Sequence, residues 1–168
     1  MIALGIVGWS GSGKTTFLTA LISIFTARGL AVSSIKHAHH DMILDRPGKD
    51  SFRHARAGAE EVILASDNGF TLFSSRAEAG LPVLLARLAP VDLVLVEGFK
   101  NYDLPKLEVY RRVLGKPPLW QQMDVLAVVS DERLPECPVP VLSLEAPAEV
   151  ADFLGTAFPL NRHRFAEE

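Results

Sequence analysis

Residues 8–15 read GWSGSGKT and satisfy the spacing G-x-x-x-x-G-K-[ST] at every fixed position. Glycines in such a loop let successive backbone N–H groups curl around an anion, and a helix starting behind it adds the positive end of its dipole. There Lys14 reaches the β- and γ-phosphates of a nucleotide, and the Thr15 hydroxyl can ligate Mg2+. Gly8, Ser10, Gly11, Ser12, Gly13, Lys14, Thr15 and Thr16 are therefore the candidate triphosphate contacts. A chance Gly/Ser turn has the same composition. This loop, however, lies between a buried strand and a helix, where the mechanism needs it.

A carboxylate on the phosphate side is the next requirement, and two residues compete. Asp92 precedes the apolar run Leu93–Val96 and Glu97 follows it. Ligands gather at the carboxyl ends of parallel strands, so Glu97 falls at the site, orienting Mg2+ or its water, and Asp92 at the far end. Asp131 follows another apolar run, Val125–Val129. A carboxylate there can accept the N1–H and N2–H2 edge of guanine, a donor pair that adenine lacks, which favours GTP. A plain turn or capping residue fits the same position.

The stretch from Lys36 to Ala59 holds four of the chain's five histidines, three acids and five Lys/Arg. It follows the carboxyl end of the second predicted strand and so emerges beside the phosphate loop. Lys36, Lys49 and Arg53 can meet phosphate; Asp41, Asp45 or Asp50 can position water or a metal-bound water. His37, His39 and His40 can offer imidazoles to Zn2+ or Ni2+, with Asp41 or Asp45 as a carboxylate ligand. Adjacent His39 and His40 point apart in an extended chain, and no thiolate accompanies them. A switch and substrate-contact loop is the better reading.

The elements that must position these residues follow from hydrophobic periodicity. Ile2–Val7 and Ala31–Ile35 read as buried strands around a helix over Lys14–Arg28 that Gly29 stops, which makes a right-handed parallel βαβ unit. Ser51–Ala57 reads as a short helix capped by Asp50 and ended by Gly58. Glu61–Ser66 and Phe70–Ser75 flank Asp67-Asn68-Gly69, the pattern of a β-hairpin. Further on come a helix over Leu81–Leu88, strands over Leu93–Glu97, Lys106–Tyr110, Val125–Val129 and, at an edge, Val139–Leu142, and a closing helix over Pro147–Leu154. The fold class is α/β, a P-loop NTPase: a doubly wound, mostly parallel sheet with an inserted β-hairpin. Residues 1–160 form one nucleotide-binding domain and 161–168 a polar tail.

Composition limits the alternatives. A chain of 168 residues that is 48% hydrophobic suits one domain with an ordinary core. A net charge of −3 does not suit a dedicated nucleic-acid binder. The single cysteine, Cys137, excludes an internal disulfide framework. The opening MIALGIVG lacks the basic region of a signal peptide, and no apolar run reaches the ~18 residues of a membrane span. A cytoplasmic protein without membrane partners is expected.

Several of these motifs together resemble one family. Gly8–Thr16, Lys36-His37-Ala38-His39-His40, Pro47-Gly48-Lys49-Asp50-Ser51 with Ala57-Gly58-Ala59, and Val96-Glu97-Gly98-Phe99-Lys100 look like the MobB family of molybdopterin-guanine dinucleotide biosynthesis proteins. The match runs to about Asp131. It implies a GTP- and Mg2+-binding, slowly hydrolysing homodimer that acts mainly as an adaptor. Its partner would be the nucleotidyltransferase that attaches GMP to molybdopterin, with molybdopterin itself as a further ligand. Within the Lys36–Ala59 stretch, Lys36, His37, Lys49, Asp50 and Arg53 are the candidate ligand contacts. No residue is identifiable as a catalytic base. Dimerisation has physical support in two sheet edges, the hairpin and Lys106–Tyr110, that pairing can cover. Two other functions stay open: a nickel-delivery GTPase using the His37–His40 cluster, and a P-loop small-molecule kinase, although only Arg111-Arg112 resembles a basic lid.

Overall fold

The computed structural model describes residues 1–38, 47–74 and 80–160. Its elements in chain order are β1 (Ile2–Val7), α1 (Lys14–Ala27), β2 (Val32–Lys36), α2 (Asp50–Arg56), β3 (Glu61–Ser66), β4 (Gly69–Ser74), α3 (Leu81–Arg87), β5 (Leu93–Glu97), β6 (Lys106–Tyr110), β7 (Ala127–Ser130), β8 (Val141–Ser143) and α4 (Pro147–Ala157). They fall into two compact units, residues 38–86 forming the second. His39, His40, Asp41 and Asp45 and the tail Asn161–Glu168 lie outside the described residues.

In the first unit six strands pair in the order β2-β5-β1-β6-β7-β8, every pairing parallel. All carboxyl ends therefore lie along one rim. The chain crosses from β5 to β6 past β1, so the strand order reverses beside the strand that carries the phosphate loop, where open α/β sheets place their ligands. Alternate residues build the main core: Leu4 and Ile6, Leu93 and Leu95, Leu107 and Val109, and Ala127 and Val129 share one face. Against them pack Phe17, Leu18, Leu21 and Phe25 of α1 and Val150, Ala151 and Leu154 of α4. α1 ends as Gly29 predicts. At φ 81° Gly29 supplies the left-handed residue, its N–H donates to Thr26 O, and the Leu30 N–H returns to Phe25 O. On the opposite face Tyr110, Val128 and Leu134 form a smaller cluster joined by Trp120, Cys137 and Val141, which makes Cys137 a packing residue.

Lys106–Tyr110 corrects one expectation. It is no sheet edge: β6 lies between β1 and β7 with all five residues buried. Its alternating charges are tolerated because each finds partners. Lys106 Nζ donates to Leu104 O at 3.1 Å. The Glu108 side chain, with no exposed surface, accepts the N–H groups of Leu119 at 2.8 Å and Trp120 at 2.9 Å. The edges of this sheet are β2 and β8.

The second unit contains α2 and the hairpin β3–β4. Lys49, extended at ψ 156°, holds the N-cap position of α2, so Asp50 is the first helical residue rather than the cap. Its carboxylate still meets the positive end of the helix dipole. The turn also differs in detail: Ser66 pairs with Gly69, so the loop is Asp67-Asn68 and the positive φ falls on Gly69. The hairpin exposes Ile63, Leu64, Phe70 and Leu72, with Phe70 73% accessible.

Candidate functional site

The loop after β1 turns on three glycines at positive φ, of which Gly8 also has no room for a side chain. Gly8 has φ 147°, and a Cβ there would lie 2.4 Å from Val109 O and 2.9 Å from Ser12 Oγ. Gly11 (φ 84°) and Gly13 (φ 94°) continue the curl, and Gly13 opens α1 by accepting the Phe17 N–H. Ser12 is 1% exposed, and its Oγ has no hydrogen-bond partner among the described residues. Ser10, Thr15 and Thr16 stand exposed beside it. The N–H groups of the first turn, which a helix leaves without internal acceptors, open onto this loop. The arrangement is a preformed cradle for an anion.

Lys14 folds back within the loop, its Nζ donating to Trp9 O at 2.8 Å. Burial lowers its pKa from the ordinary lysine value; the Glu97 charge opposes this and the Lys36 charge adds to it. Trp9, an unconstrained position in the motif, is held firmly. Its indole N–H donates to Pro117 O at 2.7 Å, and Lys100 and Lys116 stand 5.7 Å and 5.9 Å from its ring. Sequence spacing carries no signal for the Pro117 bond, which joins residues 108 apart.

Glu97 ends β5 where chain direction predicts, paired in register with Ile6 of β1 and Lys36 of β2. The Thr15 hydroxyl lies 3.0 Å from its Oε1 and 3.1 Å from its Oε2. Lys36 Nζ lies 3.5 Å from the same Oε1 and 3.4 Å from Thr15 Oγ1. Asp92 sits at the opposite end of the strand, its carboxylate accepting the Ala31 N–H at 2.8 Å. The donor set at Glu97 fits a small hard cation. Adjacent ligands of an octahedral Mg2+ with bonds near 2.1 Å are separated by about 3.0 Å, and Thr15 Oγ1 and Glu97 Oε1 already have that spacing. Thr15 and Glu97 are the residues that would hold it.

After Glu97 the backbone is sharply bent. Gly98 has φ 92°, and Phe99 at φ 50° is the one non-glycine residue with positive φ among those described. The Phe99 ring stacks on His37 with centroids 4.6 Å apart and meets Tyr102 edge-on. A Cβ on Gly98 would come within 2.9 Å of His37 Cβ. His37 is thus packed against the Glu97-Gly98-Phe99 turn. Among the described residues no three His, Cys, Asp or Glu side chains gather as a cation site. Lys49, Asp50 and Arg53 belong to the second unit, where Arg53 and Asp50 form an exposed ion pair at 3.6 Å.

Asp131 begins the segment after β7, two strands from β1 and so about 10 Å along the rim. A cavity of about 520 Å3 opens there, lined by Ser130, Asp131, Glu132, Leu134, Val141 and Ser143 among others. Asp131 Oδ2 lies 3.3 Å from Arg111 Nε, an ion pair without hydrogen-bond alignment. Arg112 is held by Glu132 at 3.1 Å and Glu136 at 2.6 Å, so these two arginines are tied to the rim. A carboxylate beside this cavity, on the same rim as the anion cradle, can accept hydrogen bonds from a donor edge.

Comparison with known proteins is consistent throughout. The profile of the family described as molybdopterin guanine dinucleotide synthesis protein B matches residues 3–131. A molybdopterin-guanine dinucleotide biosynthesis adapter protein of Haemophilus influenzae is 43% identical over 157 residues, covering 90% of this chain and 86% of that one. The protein of the same description from Escherichia coli is 39% identical over 158 residues, 90% of each chain. Among solved structures, a MobB protein homolog from Bacillus stearothermophilus superposes with a TM-score of 0.72 at 26% identity, covering 94% of this chain and 97% of that one.

Proposed function

This chain belongs to the molybdopterin guanine dinucleotide synthesis protein B family, and we propose that it acts there as a nucleotide-dependent adapter, binding GTP with Mg2+ and assisting the attachment of GMP to molybdopterin. The observation that carries the nucleotide part is the Thr15–Glu97 bond, which joins the phosphate loop to the end of β5. Gly8 to Thr16 cradle the phosphates, and Lys14 leaves the Trp9 carbonyl for the β- and γ-phosphate oxygens. Mg2+ held by Thr15 and Glu97 would supply charge neutralisation at the phosphates. Asp131 accepts the guanine donor edge. The assignment of Lys49 and Arg53 to phosphate, and of Asp50 to water or a metal-bound water, rests on their sequence pattern.

Hydrolysis in this reading is slow, and the bound nucleotide chiefly sets a conformation. The partner in this reading is the nucleotidyltransferase, with molybdopterin as a further ligand, in the cytoplasm. No helix among the described residues is long and apolar enough to cross a membrane. Support for a homodimer formed through the hairpin comes from its exposed Ile63, Leu64, Phe70 and Leu72, since β3 and β4 pair only with each other among the described residues.

The test is reconstitution of GMP attachment with a purified nucleotidyltransferase and molybdopterin. Added wild-type chain is expected to raise the yield or rate and Lys14→Ala to give none of the gain. Equal stimulation by both would detach the adapter role from nucleotide binding.

A further inference from the structure

Lys36 lies on the oxygens that would hold the cation. Its ammonium is within 3.5 Å of both Thr15 Oγ1 and Glu97 Oε1, while those two oxygens are 3.0 Å apart. The parallel register makes the two residues neighbours, since Lys36 is the partner of Glu97 at the last pair of β2 and β5. The Glu97 carboxylate is 12% exposed, so a charge beside it is screened far less than one on an open surface. The Lys36 side chain is 59% exposed, and its stem can swing out without disturbing the core.

We propose that Lys36 is the resident counter-ion of the cation site, and that a divalent cation binds by displacing its ammonium from Thr15 and Glu97. The proposal rests on the reading of Thr15 and Glu97 as the cation ligands. A divalent cation on Thr15 Oγ1 and Glu97 Oε1 competes with the ammonium for the same two oxygens, and the repulsion between the two cations at this range opposes joint occupancy. The nucleotide-free protein therefore keeps its own charge balance and binds divalent cations weakly. The triphosphate changes this: its oxygens complete the coordination of the incoming cation and give the displaced ammonium other anionic partners. Lys36 thus ties cation loading to nucleotide loading.

The experiment is a Mn2+ titration of the nucleotide-free full chain, followed by the electron paramagnetic resonance signal of free Mn2+. Lys36→Met is expected to bind one Mn2+ about tenfold or more tightly than wild type, and Lys36→Arg, which keeps the charge, to stay within about twofold of wild type. Adding Glu97→Gln to Lys36→Met is expected to abolish the gain. Mn2+ binding by Lys36→Met no tighter than wild type, or a gain that survives Glu97→Gln, overturns the proposal. A melting curve for each variant confirms that it is folded. Because no nucleotide is present, failure of wild type to bind GTPγS would remove the functional reading while leaving this comparison to decide the role of Lys36.

Discussion

Thr15 and Glu97 stand 82 positions apart, yet the Thr15 hydroxyl lies 3.0 Å and 3.1 Å from the two carboxylate oxygens of Glu97. The contact exists because β1 and β5 are neighbours in parallel register, which brings the residues after Ile6 alongside Glu97. A phosphate cradle alone would bind any small anion. The carboxylate adds the charge that a hard cation needs.

Glu97→Gln keeps the shape and removes that charge. Affinity for GTPγS in Mg2+ is expected to fall about tenfold or more, while affinity in EDTA changes little. Titration in the two buffers checks this. An equal loss in both would mean that Glu97 acts on the loop rather than on the cation.

Gly8→Ala places a methyl group 2.4 Å from the Val109 carbonyl in a conformation of φ 147°. The backbone must move, at a cost of about 2–4 kcal/mol. A lower melting temperature together with loss of nucleotide binding is expected. Gly115→Ala serves as the control: its φ of 60° is also left-handed, but a Cβ there meets nothing within 4 Å, so it should bind nucleotide normally.

Glu108 makes stability depend on pH. Burial raises its carboxyl pKa above the ordinary 4.5, more than the Leu119 and Trp120 N–H groups lower it. The protonated form is thus the better tolerated one in the fold. Its contribution is fully present below the unfolded value and is lost as pH rises through the raised folded value. Wild type should lose stability relative to Glu108→Gln as pH rises from the unfolded value through the raised folded value. The Gln variant should itself be about 1–3 kcal/mol less stable at low pH, because its amide turns a donor toward one of the two N–H groups. Denaturant melts across that range measure both effects. Parallel pH profiles would contradict the first.

The legible parts of this fold were those with local signals. Ile2–Val7 and Leu93–Glu97 are unbroken apolar runs between breakers, and such runs mark strands buried on both faces. The glycine loop and Glu97 followed from a motif and from chain direction. Lys106–Tyr110 was legible as a strand but not as a central one, because Lys and Glu alternate along it. What satisfies Glu108 is the backbone at Leu119 and Trp120, 11 and 12 positions on, and periodicity carries no record of such a partner. Lys36 shows the same limit. Its type pointed to phosphate, while its place against Thr15 and Glu97 depends on the β2–β5 pairing. Asp131 was singled out by its position after a strand; its pairing with Arg111 comes from the neighbouring strand end and had no local signature.

The central claim, a guanine nucleotide held by this loop, is tested most directly by calorimetric titration with GTPγS and ATPγS in Mg2+, for wild type and Lys14→Ala. The account predicts tight GTPγS binding to wild type, ATPγS weaker by about tenfold or more, and loss of both in Lys14→Ala. Equal affinities for the two nucleotides, or binding that survives Lys14→Ala, would contradict it.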